Sequence, residues 1–206
     1  MRRSRRLGAT ATCYEWGFRR GVCCVKPSRL VSLLVVALFA ALLFAKFRND
    51  GPLTGKPAPD FALPLVAGEG AEPGDRVRLS DLRGQFLVLD FWASWCGPCK
   101  HSVPILNDVA AMLADRGVRV YGINAEGMPA ARVKHVATQW AMRYPVLHDP
   151  TAEAQLAYEV SALPTLVLVD REGVVRRTYA GSPSAAQLVA EIRELDTASE
   201  VLQKAP

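Results

Sequence analysis

Cysteine is scarce in most of this 206-residue chain: from residue 51 onward there are only Cys96 and Cys99. A closed structural zinc site takes four ligands and therefore a second pair. None is available, because His101, His135 and His148 show no paired spacing. The same region also lacks a basic excess. Residues 51–206 carry fifteen Lys/Arg against eighteen Asp/Glu, whereas residues 1–50 carry ten against two. The net charge of +5 and the pI near 9.1 thus arise in the N-terminal part. A nucleic-acid-binding domain would bear its basic stripe on the folded part, so that class is excluded. No internal repeat is visible.

The stretch that carries chemistry is Phe91-Trp92-Ala93-Ser94-Trp95-Cys96-Gly97-Pro98-Cys99-Lys100. Two cysteines two residues apart, between an apolar run and a helical pattern, are the signature of a redox dithiol. Two inert cysteines would not require that strand, turn and helix context. Cys96 is placed at a helix N-terminus, where free N–H groups and the positive end of the helix dipole favour a thiolate, so it is the attacking thiol. Pro98 suits the first turn, where a missing N–H costs little. Cys99, one turn on and more buried, is the resolving thiol. Asp90 interrupts Phe86–Trp92, a run otherwise apolar on both faces as a central strand should be. Burial should raise its pKa, and a raised carboxyl is suited to taking the Cys99 proton. A hydrogen-bonded structural acid, or a strand-end residue reaching solvent, is the competing account of Asp90.

Leu30–Ala45 is an uncharged apolar run between Arg29 and Lys46. It is apolar all round, unlike an amphipathic core helix, and its flanking cations can snorkel, which predicts a transmembrane anchor over residues 29–46. Eight Lys/Arg precede it and only Lys46 and Arg48 follow closely, so the N-terminus is expected in the cytoplasm and the domain outside. Leu43-Phe44-Ala45 offers a bulky residue where a signal peptidase wants a small one, which favours an uncleaved anchor. Residues 1–28 read as a basic disordered tail in which Cys13, Cys23 and Cys24 stay reduced. Residues 47–59, rich in proline and glycine, read as a linker, 60–196 as the folded domain and 197–206 as a fraying tail.

Within the domain, Phe61–Leu65 and Arg76–Leu79 should pair as a hairpin, followed by a turn over Ser80–Gly84. After Phe86–Trp92 the pattern predicts a helix from the dithiol to Arg116, stopped by Gly117, with Val103, Leu106, Val109 and Leu113 inward. Val118–Asn124 is a strand, and a helix follows from Pro129 with Val133, Val136, Ala137 and Trp140 inward. Tyr144–Leu147 is short and strand-like, and Asp149 caps a short helix starting at Pro150. Thr165–Val169 and Val174–Tyr179 form a hairpin. The last helix begins at Ser182-Pro183 and buries Leu188, Val189, Ile192 and Leu195.

These residues resemble a known family. Asp90-Phe91-Trp92-Ala93, Trp95-Cys96-Gly97-Pro98-Cys99-Lys100 and Pro104 resemble the active-site segment of thioredoxin, and Ser161-Ala162-Leu163-Pro164-Thr165 resembles the family's cis-proline loop. Gly55-Lys56-Pro57-Ala58-Pro59-Asp60-Phe61 and the extra strand and helix after the second core strand are similar to the TlpA/ResA-type thioredoxin-like proteins. The resemblance implies an α/β thioredoxin-like fold: a central mixed sheet flanked by helices, with an N-terminal β-hairpin extension, a strand-helix insertion and one preceding transmembrane helix. It implies a cis Leu163–Pro164 bond, with the Leu163 backbone pairing an extended substrate. Trp95, Gly97, Pro98, Leu163 and Pro164 then border the substrate, and Trp92 and Trp95 shape the surface around the sulfur. Asp90 is thioredoxin-like where many TlpA/ResA-type proteins carry asparagine. Ala162-Leu163-Pro164-Thr165 lacks the Gly-x-Pro-Glu of the cytochrome-maturation branch. Glu126 roughly matches a carboxylate that tunes the dithiol in ResA-like proteins, but an exposed loop residue is the preferred reading.

The implied activity is thiol-disulfide exchange without cofactor or metal, reducing disulfides of exported proteins, apocytochrome c among them. The dithiol would have a potential on the order of the −270 mV of thioredoxin. An inner-membrane thiol shuttle of the DsbD/CcdA kind would recharge it. An oxidant, a thiol peroxidase and a non-catalytic client-binding module are the alternatives. Peroxiredoxins place a Pro-x-x-x-Thr-x-x-Cys loop at their peroxidatic thiol, which Trp92–Cys96 does not match.

Overall fold

All seven residues of strand β3 (Phe86–Trp92) are buried, and their alternation divides them between two cores. Phe86, Val88 and Trp92 enter one cluster with Val103, Leu106 and Leu188. Leu87, Leu89 and Phe91 enter the other with Phe61, Ile123 and Tyr158. Each fully buried side chain of this size contributes about 1.5–3 kcal/mol relative to exposure, so β3 anchors both layers.

The computed structural model describes residues 32–39, 51–68 and 74–204, with side chains as far as Thr197. Residues 32–39 are helical (α1) with exposed apolar side chains. The rest of the expected 29–46 anchor, the 1–28 tail and Cys13, Cys23 and Cys24 lie outside the described residues. Among the described residues no helix is long and apolar enough to cross a membrane.

Around β3 runs a seven-stranded mixed sheet in the order β2-β1-β5-β4-β3-β6-β7. Its other strands are β1 (Ala62–Ala67), β2 (Arg76–Arg78), β4 (Val118–Asn124), β5 (Val146–His148), β6 (Thr165–Val169) and β7 (Val175–Ala180). Strands β3, β4 and β5 are parallel, and β6 lies antiparallel to β3 on its other side. The β1–β2 hairpin extends the sheet through antiparallel pairing of β1 with β5. Helices α2 (Gly97–Leu113), α3 (Ala130–Gln139) and α5 (Ala185–Lys204) supply the first core, whereas α4 (Glu153–Ala157) and the chain around Phe61 and Leu79 cover the second.

The strands match the sequence reading closely, and the corrections fall at helix ends and termini. The short helix starts at Glu153, three residues after Pro150, because Ala152 takes a left-handed φ of 57°. Asp149 still caps it, accepting the N–H of Glu153 at 3.0 Å and of Gln155 at 3.1 Å. The last helix starts at Ala185, since Ser184 and Gln187 form a reciprocal capping box. Its backbone continues to Lys204 rather than fraying after Asp196. From Gly51 the expected linker is docked: Gly55 N donates to Val175 O and Ala58 N to Gly173 O, both at 2.8 Å.

Candidate active site

The dithiol sits where β3 hands over to α2. Cys96 is the N-cap of that helix, with an extended backbone (φ −82°, ψ 95°), and its Sγ accepts the Cys99 N–H at 3.1 Å. A sulfur that takes the place of a capping oxygen receives a donor otherwise orphaned at the helix start, and the helix dipole favours negative charge on it. The two sulfurs form a disulfide, with Cα atoms 5.3 Å apart. Pro98 occupies the first turn and Pro104 the interior, where it supplies no N–H to the helix's own hydrogen bonds. The two cysteines are nearly equally covered, at 4% exposure for Cys96 and 1% for Cys99, so the attacking sulfur is not an open surface group in the oxidised form.

The rim around the sulfurs is built from few residues. Trp95 is 74% exposed, and Gly97 and Pro98 are exposed beside it. Trp92 does not shape this surface: it is fully buried, its ring 5.2 Å from that of Trp140. The strand period explains the difference, since Trp92 is the last β3 residue pointing into the first core. The Leu163–Pro164 bond is cis. Pro164 closes a cleft of about 490 Å³ with Gly97, Pro98, His101, Ser102, Ile105 and Ser182. Leu163 does not line it; its side chain is half-buried and packs against both cores. Ser102, buried one turn beyond Cys99, donates to Pro98 O at 3.3 Å and contacts the Ser182 hydroxyl.

Behind the dithiol lies Asp90, fully buried. It shares the face of β3 occupied by Phe86, Val88 and Trp92, which is the face α2 covers with Cys99. Burial pushes its carboxyl up from 3.8 to about 7, and a hydrogen bond from the Tyr144 hydroxyl partly offsets this. That bond reaches Oδ2 at 3.2 Å, while Oδ1 has no hydrogen-bond partner. Burial and the Asp90 charge together raise the Tyr144 phenol well above its ordinary value, so it stays a donor.

Glu126 is not an exposed loop residue. Its Oε2 accepts the Ser94 N–H at 2.5 Å and the Asn124 amide at 2.8 Å, and its Oε1 accepts the Ser94 hydroxyl at 2.9 Å. His148 Nε2 lies 3.0 Å from the Glu126 carbonyl. The carboxylate thereby ties the loop that ends in Cys96 to the end of β4. Ser94, Asn124 and Tyr144 carried no motif in the sequence. The one available signal was Asn124, a polar residue closing an apolar strand.

A dithiol at a helix N-cap beside a cis-proline, on a mixed sheet of this order, defines a thioredoxin-like thiol-disulfide oxidoreductase. Residues 54–178 match the AhpC/TSA family, and the chain belongs to that family. It is 32% identical over 164 residues to thiol-disulfide oxidoreductase ResA of Geobacillus thermodenitrificans, covering 76% of this chain and 90% of that protein. Among solved structures, the Chlorobium tepidum protein described as thiol:disulfide interchange protein DsbE is 34% identical. It superposes with a TM-score of 0.59 over 69% of this chain and 95% of its own. The exposed lipoprotein thioredoxin of Streptococcus pneumoniae gives 29% identity and a TM-score of 0.58, over 66% and 99% of the two chains.

Proposed function

We propose that this oxidoreductase is anchored in the bacterial inner membrane by residues 29–46, with its catalytic domain outside the cytoplasm, and that it reduces disulfides in exported proteins. The observation that carries the reading is the Cys96 sulfur capping α2 next to the Pro164 cleft, with a proton-binding carboxyl buried behind the pair. Cys96 thiolate attacks one sulfur of a client disulfide; a mixed disulfide forms and the second client sulfur leaves as a thiolate. Cys99 then gives its proton to Asp90 and attacks Cys96 Sγ. The mixed disulfide breaks, the first client sulfur leaves, and two electrons have passed from the dithiol to the client.

The charge bias before Leu30 and the uncharged run after it support the anchor and its orientation. An exported compartment is oxidising, so the spent disulfide needs an electron donor. We assign that role to a membrane thiol shuttle of the DsbD/CcdA kind, and apocytochrome c is one acceptor in this scheme. Trp95, Gly97, Pro98, Leu163 and Pro164 border the client chain, with Leu163 contributing backbone rather than side chain.

The test is covalent capture in cells. Full-length Cys99→Ser should accumulate mixed disulfides with exported proteins that vanish on reduction and are absent when Cys96 is also replaced. Thiol trapping should find the wild-type pair oxidised in cells lacking the shuttle. Capture of no client would overturn the mechanism, capture of cytoplasmic clients the location, and a pair that stays reduced without the shuttle the electron supply.

A further inference from the structure

Glycine is an unfavourable residue inside a central strand, and Gly122 stands in the middle of β4 directly opposite Asp90. A side chain at this position would crowd two aromatic rings, which would have to give way by a few tenths of an ångström. A Cβ there would lie 3.1 Å from Tyr144 Cε2 and 3.2 Å from Trp92 Nε1. The missing side chain leaves room for the Tyr144 ring, whose hydroxyl reaches Asp90 Oδ2 at 3.2 Å.

We propose that Tyr144 is the positioning residue for proton transfer from Cys99: its hydroxyl holds Asp90 Oδ2, leaving Oδ1 as the atom that takes the proton. The inference rests on the assignment of Asp90 as the base of the resolving step and names what orients it. Two observations carry it. The carboxylate is fully buried with one oxygen engaged and the other without a partner. The chain also keeps a glycine beside it whose replacement would press on the tyrosine.

The surroundings leave few other groups able to act on Asp90. Across the sheet it faces Gly122 on β4 and Leu166 on β6. From α2 the first core receives Cys99, Val103 and Leu106, and from the segment before β5 it receives Tyr144. Among the described residues the Asp90 carboxyl is shifted by burial and by the Tyr144 hydroxyl alone, so Tyr144 and, once reduced, Cys99 are the titratable groups on this face. A phenol that donates to the ionised carboxylate favours that form, so its loss should make Asp90 hold its proton more tightly.

The experiment uses the reduced full-length chain with Cys13, Cys23 and Cys24 replaced by serine, mixed with an aromatic disulfide reagent in a stopped flow. Attack by Cys96 releases one chromophoric thiolate, and resolution by Cys99 releases a second, so the two steps are read separately. In the parent chain the second phase should accelerate as pH rises through about 7. Tyr144→Phe keeps the ring and should move that midpoint up by about one pH unit, making the second phase about tenfold slower below it. The first phase should be unchanged. Gly122→Ala should move the midpoint in the same direction, and Asp90→Asn should abolish the pH step, with or without Tyr144→Phe. If Asp90→Asn flattens the profile but Tyr144→Phe leaves the midpoint in place, or slows both phases alike, the role of Tyr144 is refuted and that of Asp90 survives. If Asp90→Asn retains the pH step, both roles fall.

Discussion

Four carboxylates among the described residues are almost fully buried, and they divide by whether both of their oxygens have partners. Away from the dithiol, at the β6–β7 turn, Asp170 accepts the Val174 N–H at 2.7 Å and Arg176 Nε at 2.5 Å. Nearby, Asp196 on α5 receives two bonds from the Arg171 guanidinium, at 2.7 and 3.0 Å. Asp149 receives two backbone N–H groups of α4. Asp90, behind the dithiol, has one neutral donor and one oxygen without a partner. The satisfied carboxylates fasten a turn, the body of α5 and the start of α4, as buried acids do when they stabilise a fold. The unsatisfied one costs stability and gains proton affinity near neutrality, which is the signature of a group kept for chemistry.

The largest effect that would break this division is at the sulfur. Cys96→Ser should lower disulfide reduction, followed as insulin precipitation or reagent turnover, by at least about 10³-fold. Its stability should stay close to that of the reduced wild type. Persistent turnover would make the cap geometry irrelevant. Next is Asp90→Asn, compared with wild type while both disulfides are intact. The native state holds a proton on Asp90 between pH 3.8 and about 7 that the unfolded chain has released. Native binding of the extra proton means that this group's contribution is fully present below pH 3.8 and is lost as pH rises to about 7. The variant should therefore gain on wild type over that window, by on the order of 4 kcal/mol at pH 8. Its resolving step should slow about 10²-fold. Urea unfolding from pH 4 to 8 measures the first quantity, and equal slopes for the two proteins would place Asp90 with the structural acids.

The division also shows where sequence is informative. Strands β3, β4 and β6 were legible because a two-faced apolar run bounded by turn residues has few other readings, and Asp90 stood out against that background. The dithiol was legible as a local motif, and the cis-proline through the family resemblance of Ser161–Thr165. Glu126 and Tyr144 were not, because their roles depend on contacts 32 and 54 residues away, with Ser94 and Asp90. Nothing in Tyr144-Pro145-Val146 says that its hydroxyl meets Asp90. The misplaced helix starts have a nearer cause. Ser182-Pro183 and Asp149-Pro150 both look like an N-cap followed by proline, yet Ser184 with Gln187, and a left-handed Ala152, set the actual boundaries.

Two smaller effects sharpen the comparison. Asp170→Ala removes the acceptor of the Val174 N–H and the partner of Arg176, whose side chain is 32% exposed and can turn to water. It should cost about 2–3 kcal/mol in urea unfolding and leave the rate of Cys96 alkylation unchanged. A change in that rate would mean that the two ends of the sheet are coupled.

Glu126 is intermediate between the groups, a satisfied carboxylate bonded directly to the loop that ends in Cys96. If hydrogen bonding is its whole role, Glu126→Gln should be nearly silent: the amide oxygen can accept from Ser94 N or Asn124, and the amide nitrogen can donate to the reoriented Ser94 hydroxyl. Its cost should be under about 1 kcal/mol. Glu126→Ala leaves three donors without their acceptor and should cost about 2 kcal/mol, with a several-fold change in Cys96 alkylation as the Ser94–Cys96 loop loosens. A Gln variant that alters alkylation as much as the Ala variant would instead assign the effect to the charge, and Glu126 would then join Asp90 among the groups that act on the sulfur.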